Sequence, residues 1–184
     1  MARWAVVACD QFTSEPEYWE KVERHVGDAP SAFRIVLPEL YLEHPGDIPV
    51  DRRIEAINQS MDRYLASGVF RDMGPGIVVL DRRTCYHPSR VGVVLAIHLD
   101  DYEYVPGAGG LVRATEGTVL ERIPPRLRIR KDAALEIPHV QLLVDDPGRT
   151  AIEPLLRMCR SGDFPVAYTA ELFPDGGQAT GWFV

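Results

Sequence analysis

The sequence predicts a single domain over residues 1–184, of the α/β (α+β) class, in which helices flank a mixed, partly antiparallel sheet. Its length of 184 residues is typical of one domain. Its composition, 46% hydrophobic and 26% charged residues, is that of an ordinary globular protein. Short β-rich segments alternate with segments of helical periodicity, and two of the β-rich segments are close enough in sequence to form a hairpin.

The first part of the chain predicts two strands and one helix. Residues 3–9 and 33–37 are short apolar runs that end at turn-forming residues, and each is expected to be a buried strand. Ser14 and Glu17 have the spacing of a capping box, so a helix is expected to start there with Ser14 as its N-cap. Gly27 is expected to end that helix.

The middle of the chain predicts the longest helix and a hairpin. Apolar side chains recur at helical spacing over residues 51–67, and Gly68 supplies a C-terminal stop. Residues 76–83 and 90–99 are β-rich, and the turn-prone segment 86–89 lies between them. Part of the sheet is therefore expected to be antiparallel.

The last part of the chain predicts three further strands and a helix. The strands are expected at residues 139–144, 166–173 and 179–184. Asp146 followed by Pro147 predicts the start of a helix, because proline is tolerated at the first helical position.

The charge of the chain restricts the classes of partner. A net charge of −7 has the wrong sign for a protein whose main partner is nucleic acid, and it disfavours attachment to anionic membranes. Residues 113–131, however, contain six Lys or Arg and two Asp or Glu, a local charge of +4. A compact positive segment on an acidic protein suits a small anionic ligand better than a polymer. Nothing in the sequence specifies an oligomeric state.

The cysteines and the apolar runs indicate a cytoplasmic protein. Cys9, Cys85 and Cys159 are far apart and have neither Cys-x-x-Cys nor zinc-site spacing, which favours a reducing compartment. The apolar runs are too short for a signal peptide or a membrane span.

The candidate site begins at a glycine-rich segment. Residues 107–110 (GAGG) match neither a Walker A loop nor the spaced dinucleotide fingerprint, and alone they are more typical of a turn. Arg113, which follows, suits two-pronged contacts with phosphate or carboxylate. Thr115 and Thr118 offer hydroxyls where a short helix is expected to start, a place that attracts anions. Thr118 and Glu121 also fit a plain capping box, so capping and anion binding both remain interpretations.

An arginine-rich segment completes the candidate site. Residues 126–130 (RLRIR) alternate arginine with apolar residues, which predicts a strand with three guanidiniums on one face. That face is either the solvated side of an edge strand or a basic wall for a polyanionic donor. Arg122 and Arg126 flank Pro124 and Pro125, whose stiffness would fix their positions, so these two arginines are the stronger candidates.

Several carboxylates are candidates for catalysis. Asp10 follows the first predicted strand and is a candidate base or ligand, or else a turn residue that ends the strand. Glu116 is a candidate for pairing with Arg113, for binding a substrate amine or for holding Mg²⁺. The pairs at 100–101 and 145–146 end predicted strands, where carboxylates commonly hold Mg²⁺ but also serve as turn residues and caps. Mg²⁺ is therefore a candidate cofactor, with its ligands unspecified.

Four segments resemble the bacterial domain-of-unknown-function family numbered 1015. They are residues 4–19, which include WAVVACDQFTS, residues 113–126 (RATEGTVLERIPPR), residues 139–147 (HVQLLVDDP) and residues 176–182. In the last of them Gln178 stands where the resemblance leads us to expect a third glycine followed by histidine. The resemblance implies that the chain is the N-terminal portion of a longer protein. The remainder of that family's proteins resembles ParB/sulfiredoxin-type kinases that phosphorylate free serine.

The resemblance implies phosphoryl transfer to a small amino acid. With the local positive charge, it leads us to expect a small-molecule phosphotransferase, a free-serine kinase being one form, whose phosphate donor is not specified. Asp10 and Glu116 would then serve the substrate or Mg²⁺. The alternative is a non-catalytic anion-binding or metabolite-binding module. The residues expected to bind phosphate are Arg113, Thr115, Thr118, Arg122 and Arg126.

Overall fold

The computed structural model describes residues 3–115 and 117–184, and it confirms a single-domain fold of helices and a sheet. Within the described residues, the α-helices are α1 (Pro16–Val26), α2 (Leu40–Glu43), α3 (Val50–Ala66), α4 (Ile123–Arg130) and α5 (Ile152–Ser161). The strands are β1 (Val78–Arg83), β2 (Arg90–Val94), β3 (Val166–Glu171) and β4 (Gln178–Phe183). Short 3₁₀ helices lie at Ala32–Arg34, Leu99–Asp101 and Leu120–Arg122.

The four strands form one sheet in the order β2-β1-β4-β3, with every neighbouring pair antiparallel. The predicted hairpin is confirmed, because β1 pairs with β2 across the connection at residues 84–89. The two C-terminal strands are also confirmed, at nearly the predicted positions. Strands β1 and β4 are central, and Val79 lies opposite Trp182 in their register.

Helices α1 and α3 are confirmed by the faces that they bury. Helix α1 buries Trp19, Val22 and Val26, and α3 buries residues such as Ile57 and Met61, which recur at helical spacing. The predicted N-cap is wrong, however. The N-cap residue of α1 is Glu15, which makes no side-chain capping bond, and the helix starts directly with a proline whose φ suits that position.

The predicted strands at residues 3–9 and 33–37 are wrong. The first contains only an isolated parallel bridge between Val6 and Phe173, and the second overlaps the 3₁₀ helix Ala32–Arg34. Both segments are apolar because they pack between helices, and a short buried run looks the same whether or not it joins a sheet.

The arginine-rich segment 126–130 is helical, so the predicted strand is wrong there too. Pro124 and Pro125 lie in the first turn of α4, where the missing N–H groups cost nothing. Helical spacing places Arg126 and Arg130 one turn apart on one side of α4, with Arg128 on another.

Two further expectations for the C-terminal part of the chain are wrong. Residues 139–144 form no strand, and α5 begins at Ile152 rather than at Asp146. The carboxylate of Asp146 instead accepts hydrogen bonds from the N–H groups of Thr150 and Ala151, which closes a turn before the helix.

The core of the described residues has three parts, of which the third joins a helix to the sheet. Helix α1 packs against Val7 and Phe33, and α3 packs against Ile35 and Leu37. Helix α5 packs on the sheet in a third cluster, made by Val79, Leu156, Cys159 and Trp182. Within the described residues, no helix combines the length and the apolar character that crossing a membrane would require.

A buried carboxylate on β1 ties the sheet to α5. Asp81 is only 2% exposed. Its Oδ1 accepts a hydrogen bond from Ser89 Oγ at 2.7 Å, and its Oδ2 lies 2.7 Å from Arg160 Nη2 and 3.3 Å from Arg83 Nη2. Burial alone would raise the pKa of Asp81, but the hydrogen bonds from Ser89, Arg160 and Arg83 outweigh burial and lower it.

We predict that Asp81→Asn destabilises the protein by about 2 kcal/mol at neutral pH, because two guanidiniums lose their charged partner. The folded-state pKa of Asp81 is lowered. Its ionised form therefore stabilises the fold fully above the ordinary aspartate pKa, and this contribution is lost as the pH falls below that value. Urea unfolding of both proteins at several pH values should show the stability difference shrinking in acid. A difference that does not change with pH would contradict the assignment.

The turn between β3 and β4 requires glycine at position 177. Gly177 has a φ of +83°, and a Cβ added there would overlap the carbonyl oxygen of Arg83. We predict that Gly177→Ala destabilises the fold by about 3 kcal/mol, from backbone strain and this clash. Gly92→Ala on β2 is the matched control, since a Cβ there meets nothing within 4 Å and should change stability by less than about 1 kcal/mol. Equal effects in thermal unfolding would contradict this account of the turn.

Candidate functional site

The structure brings Arg126, one of the predicted phosphate-binding residues, close to the segment that carries Asp10. Arg126 Nη2 lies 2.7 Å from Glu39 Oε1. The backbone N–H of Glu39 in turn donates a hydrogen bond of 2.8 Å to the carbonyl oxygen of Cys9. Glu39 therefore joins helix α4 to the backbone immediately before Asp10.

The pKa of the Cys9 thiol reflects the charged groups around it. Burial raises the pKa of the Cys9 thiol, the carboxylates of Asp10 and Glu39 raise it further, and Arg130 partly opposes them. Cys9 thus remains a neutral thiol at neutral pH, which is the opposite of what an activated nucleophile needs.

The glycine-rich segment already holds a carboxylate of its own chain. The N–H groups of Gly107 and Ala108 both donate to Glu103 Oε1. Arg113 Nε lies 3.5 Å from Glu103 Oε2 and 3.3 Å from the carbonyl oxygen of Gly110. Converging backbone donors and a guanidinium are what an anion-binding loop requires, and here Glu103 occupies them.

Three of the other predicted phosphate-binding residues, Thr115, Thr118 and Arg122, are exposed. Thr118 does not cap a helix, because the 3₁₀ helix Leu120–Arg122 has Val119 as its N-cap and no side-chain capping bond. The capping interpretation is therefore wrong. Glu116, the second predicted catalytic residue, lies outside the described residues.

The arginines of α4 all face carboxylates. Besides the Arg126–Glu39 pair, Arg128 lies 2.7 Å from Asp51 and Arg130 lies 2.6 Å from Glu136. These pairs are largely exposed, and exposed pairs contribute only about 0–1 kcal/mol each. An incoming anion could therefore replace one of these carboxylates at small cost.

The candidate metal ligands are not assembled. Asp10 is exposed, and Asp146 serves the turn described above, where hydrogen bonds from Thr150 and Ala151 lower the pKa of its carboxyl group. Over residues 3–115 and 117–184, no group of three or more His, Cys, Asp or Glu is placed to hold a metal ion. Mg²⁺ often needs only one or two carboxylates besides a substrate phosphate, so its place as a cofactor stays a prediction and no catalytic step is assigned to a metal.

Two cavities are lined by other parts of the chain, and none of the described residues between 113 and 126 lines either of them. One, of about 730 Å³, lies beside α3 and is lined partly by Arg34, Arg53 and Arg63. The other, of about 840 Å³, is a cleft lined by residues of segments 11–21, 82–86 and 174–176. We name this second cavity the α1 cleft. Sequence reasoning missed it, although its residues include part of the family-like segments 4–19 and 176–182.

One comparison with known proteins gives a match. A family model described as "Protein of unknown function (DUF1015)" matches residues 1–184. Neither the curated proteins nor the solved structures provide a match.

A double-mutant cycle tests the contact between Arg126 and Glu39. We predict a coupling energy of about 0.5 kcal/mol between Glu39→Gln and Arg126→Met in urea unfolding, because the two side chains are 30% and 50% exposed and water screens their attraction. The coupling should fall as salt is added. A coupling of zero at low salt would contradict the contact.

Proposed function

Because this chain belongs to the DUF1015 family, whose model spans residues 1–184, we propose that it supplies the phosphate-binding side of a small-molecule phosphotransferase. Free serine is the candidate acceptor, and the phosphate donor is left open. We also propose a cytoplasmic location, in keeping with cysteines that are all free among the described residues.

The observation that carries the proposal is the chain of contacts from Arg126 through Glu39 to Cys9. It supports the idea that a phosphate bound by Arg126 would lie near the carboxylate of Asp10. A carboxylate close to a bound phosphate can accept the proton of an attacking hydroxyl group. The arginines at 113, 126, 128 and 130 are each paired with a carboxylate, so they would attract the donor only as it displaces those partners.

In this proposal the phosphate displaces Glu39 from Arg126. Arg113 and Arg122 would offset further negative charge, and the hydroxyls of Thr115 and Thr118 would donate hydrogen bonds to phosphate oxygens. Fixed positive charge, rather than a covalent intermediate, would then stabilise the transition state. Glu116 remains the proposed partner of the substrate amine or of Mg²⁺.

The alternative function is a non-catalytic anion-binding or metabolite-binding module. The contacts of Glu103 favour it, because the Gly107–Ala108 amides and Arg113 already surround a carboxylate without any group placed for chemistry beside it. A ligand carboxylate or phosphate could displace Glu103 and accept hydrogen bonds from the same backbone amides and from Arg113.

Calorimetry on this chain measures directly whether it binds an anion. We predict that inorganic phosphate, pyrophosphate or ATP binds, and that Arg126→Ala weakens binding about tenfold through the loss of one charge-assisted contact. Arg24→Ala is the matched control, since Arg24 is also paired with a carboxylate, Glu20, but lies on α1. Equal weakening by both variants would indicate general electrostatics and would contradict a site at Arg126.

Turnover separates the two functions. The intact protein is incubated with serine, Mg²⁺ and either ATP, ADP or pyrophosphate, and phosphoserine is measured by mass spectrometry. Phosphoserine that disappears in Asp10→Asn supports the phosphotransferase. Anion binding with no product from any donor supports the binding module instead.

A further inference from the structure

None of the described residues between 113 and 126 lines the α1 cleft, although Gln11 in its wall follows Asp10 directly in the sequence. Its walls come from three separated parts of the chain: the loop before α1 with the first turns of that helix, the end of β1, and the turn between β3 and β4. The volume of about 840 Å³ is within the range of small-molecule sites. None of the functions considered above uses this cleft.

Charged side chains of both signs line the cleft. Among its lining residues, Lys21 and Arg82 are cationic, whereas Glu15, Glu17 and Asp175 are anionic. Over the described part of the chain, none of these five side chains takes part in an ion pair within 4 Å. Their charges are therefore free to act on a bound molecule, unlike those of the α4 arginines.

Arg82 is the best-positioned cation of the cleft. Its Nη2 donates a hydrogen bond of 3.1 Å to the carbonyl oxygen of Gly176, which fixes the guanidinium against the β3–β4 turn. Its Nε is buried and has no hydrogen-bond partner. Buried donors without partners are rare, and the acceptor that a guanidinium fork prefers is a carboxylate.

Negatively charged side chains lie around Tyr18. Burial raises the pKa of Tyr18 to about 12, and the carboxylates of Asp175 and Glu15 add to the rise. Both carboxylates therefore act on the same phenol, which stays protonated and donates to the carbonyl oxygen of Phe173 at 3.5 Å. Two uncompensated carboxylates beside a neutral tyrosine suit a bound ammonium group.

The backbone of the cleft is held in unusual conformations on both sides. Phe12 and Asp175 each have a φ of +54°, which is uncommon for residues other than glycine, although aspartate and asparagine adopt it more readily than phenylalanine. The ring of Phe12 stacks on that of Tyr18 with a centroid distance of 3.8 Å. Strained backbone of this kind persists where surrounding contacts impose it, and it often accompanies binding sites.

We propose that the α1 cleft binds a small zwitterionic molecule, with its carboxylate towards Arg82 and Lys21 and its ammonium group towards Asp175 and Glu15. A polyanion would meet three carboxylates, and a simple cation would leave both positive side chains without a partner. Free α-amino acids are the chemical class that carries the two groups within one small molecule. Free serine, the acceptor proposed above, belongs to the same chemical class, but that proposal places its amine at Glu116, whereas binding in the cleft requires neither Glu116 nor a phosphate donor.

The test starts with the common L-amino acids, each added singly to the intact protein without nucleotide and followed by ligand-observed NMR. At least one is expected to bind. Its decarboxylated amine and its deaminated acid are then titrated separately, and each should bind at least about tenfold more weakly, because each lacks one charge-assisted contact. Absence of binding by every amino acid, or equal binding of either truncated compound, would overturn the proposal.

Variants locate the site. Asp175→Asn removes the charge while keeping a residue that tolerates positive φ, so the turn should remain folded. It and Lys21→Ala should each weaken binding of the amino acid about tenfold. Glu20→Gln is the control, because Glu20 lies on α1 but does not line the cleft and should leave binding unchanged. Loss of binding in the control, or unchanged binding in both cleft variants with retained thermal stability, would reject this location.

Discussion

The buried carboxylate of Asp81 is the constraint on which the arrangement of the sheet depends. A charge that is 2% exposed is tolerated only because Ser89, Arg160 and Arg83 surround it, and these partners come from the hairpin, from α5 and from β1 itself. Since side chains alternate along a strand, fixing Asp81 towards α5 directs Arg82 to the opposite face. There Arg82 contacts the β3–β4 turn at Gly176 and lines the α1 cleft. The contacts of one buried carboxylate thus connect the core beneath α5 with a wall of the cleft.

In the basic segment of residues 113–131, unlike at Asp81, most of the charged pairs are largely exposed. Arg113, Arg126, Arg128 and Arg130 each oppose a carboxylate from another part of the chain, so the local +4 of residues 113–131 is matched by Glu103, Glu39, Asp51 and Glu136. Such pairs are weak where they are exposed, and a phosphate that makes several charge-assisted contacts at once can compete with them. To bind an anion at this segment, the ligand must therefore displace carboxylates of the protein from the arginines, because these arginines are not unpaired in the free protein.

Periodicity predicted those parts of the fold that are long or regularly patterned. Helix α3 was predictable because it buries side chains at helical spacing along most of its length. The β1–β2 hairpin was predictable because a turn-prone link connects two β-rich runs. The strand prediction for residues 126–130 was wrong because five residues of alternating pattern are too few to outweigh two prolines in positions that favour the start of a helix. The partners of the predicted arginines could not be predicted, since Glu39 lies 87 residues from Arg126 and only folding brings them together. The α1 cleft could not be predicted either, because segments far apart in the sequence form its walls.

The most direct test of the central functional claim, that residues 113–126 bind an anion beside Asp10, is a ¹H–¹⁵N NMR titration of the assigned protein with pyrophosphate. We expect saturable shifts of the amide signals between Arg113 and Arg126. The signals of residues 9–11 and of Glu39 should shift with them, because Glu39 loses its partner when Arg126 binds the ligand. Shifts confined to the arginine-lined cavity beside α3, or spread over the surface without saturation, would contradict it.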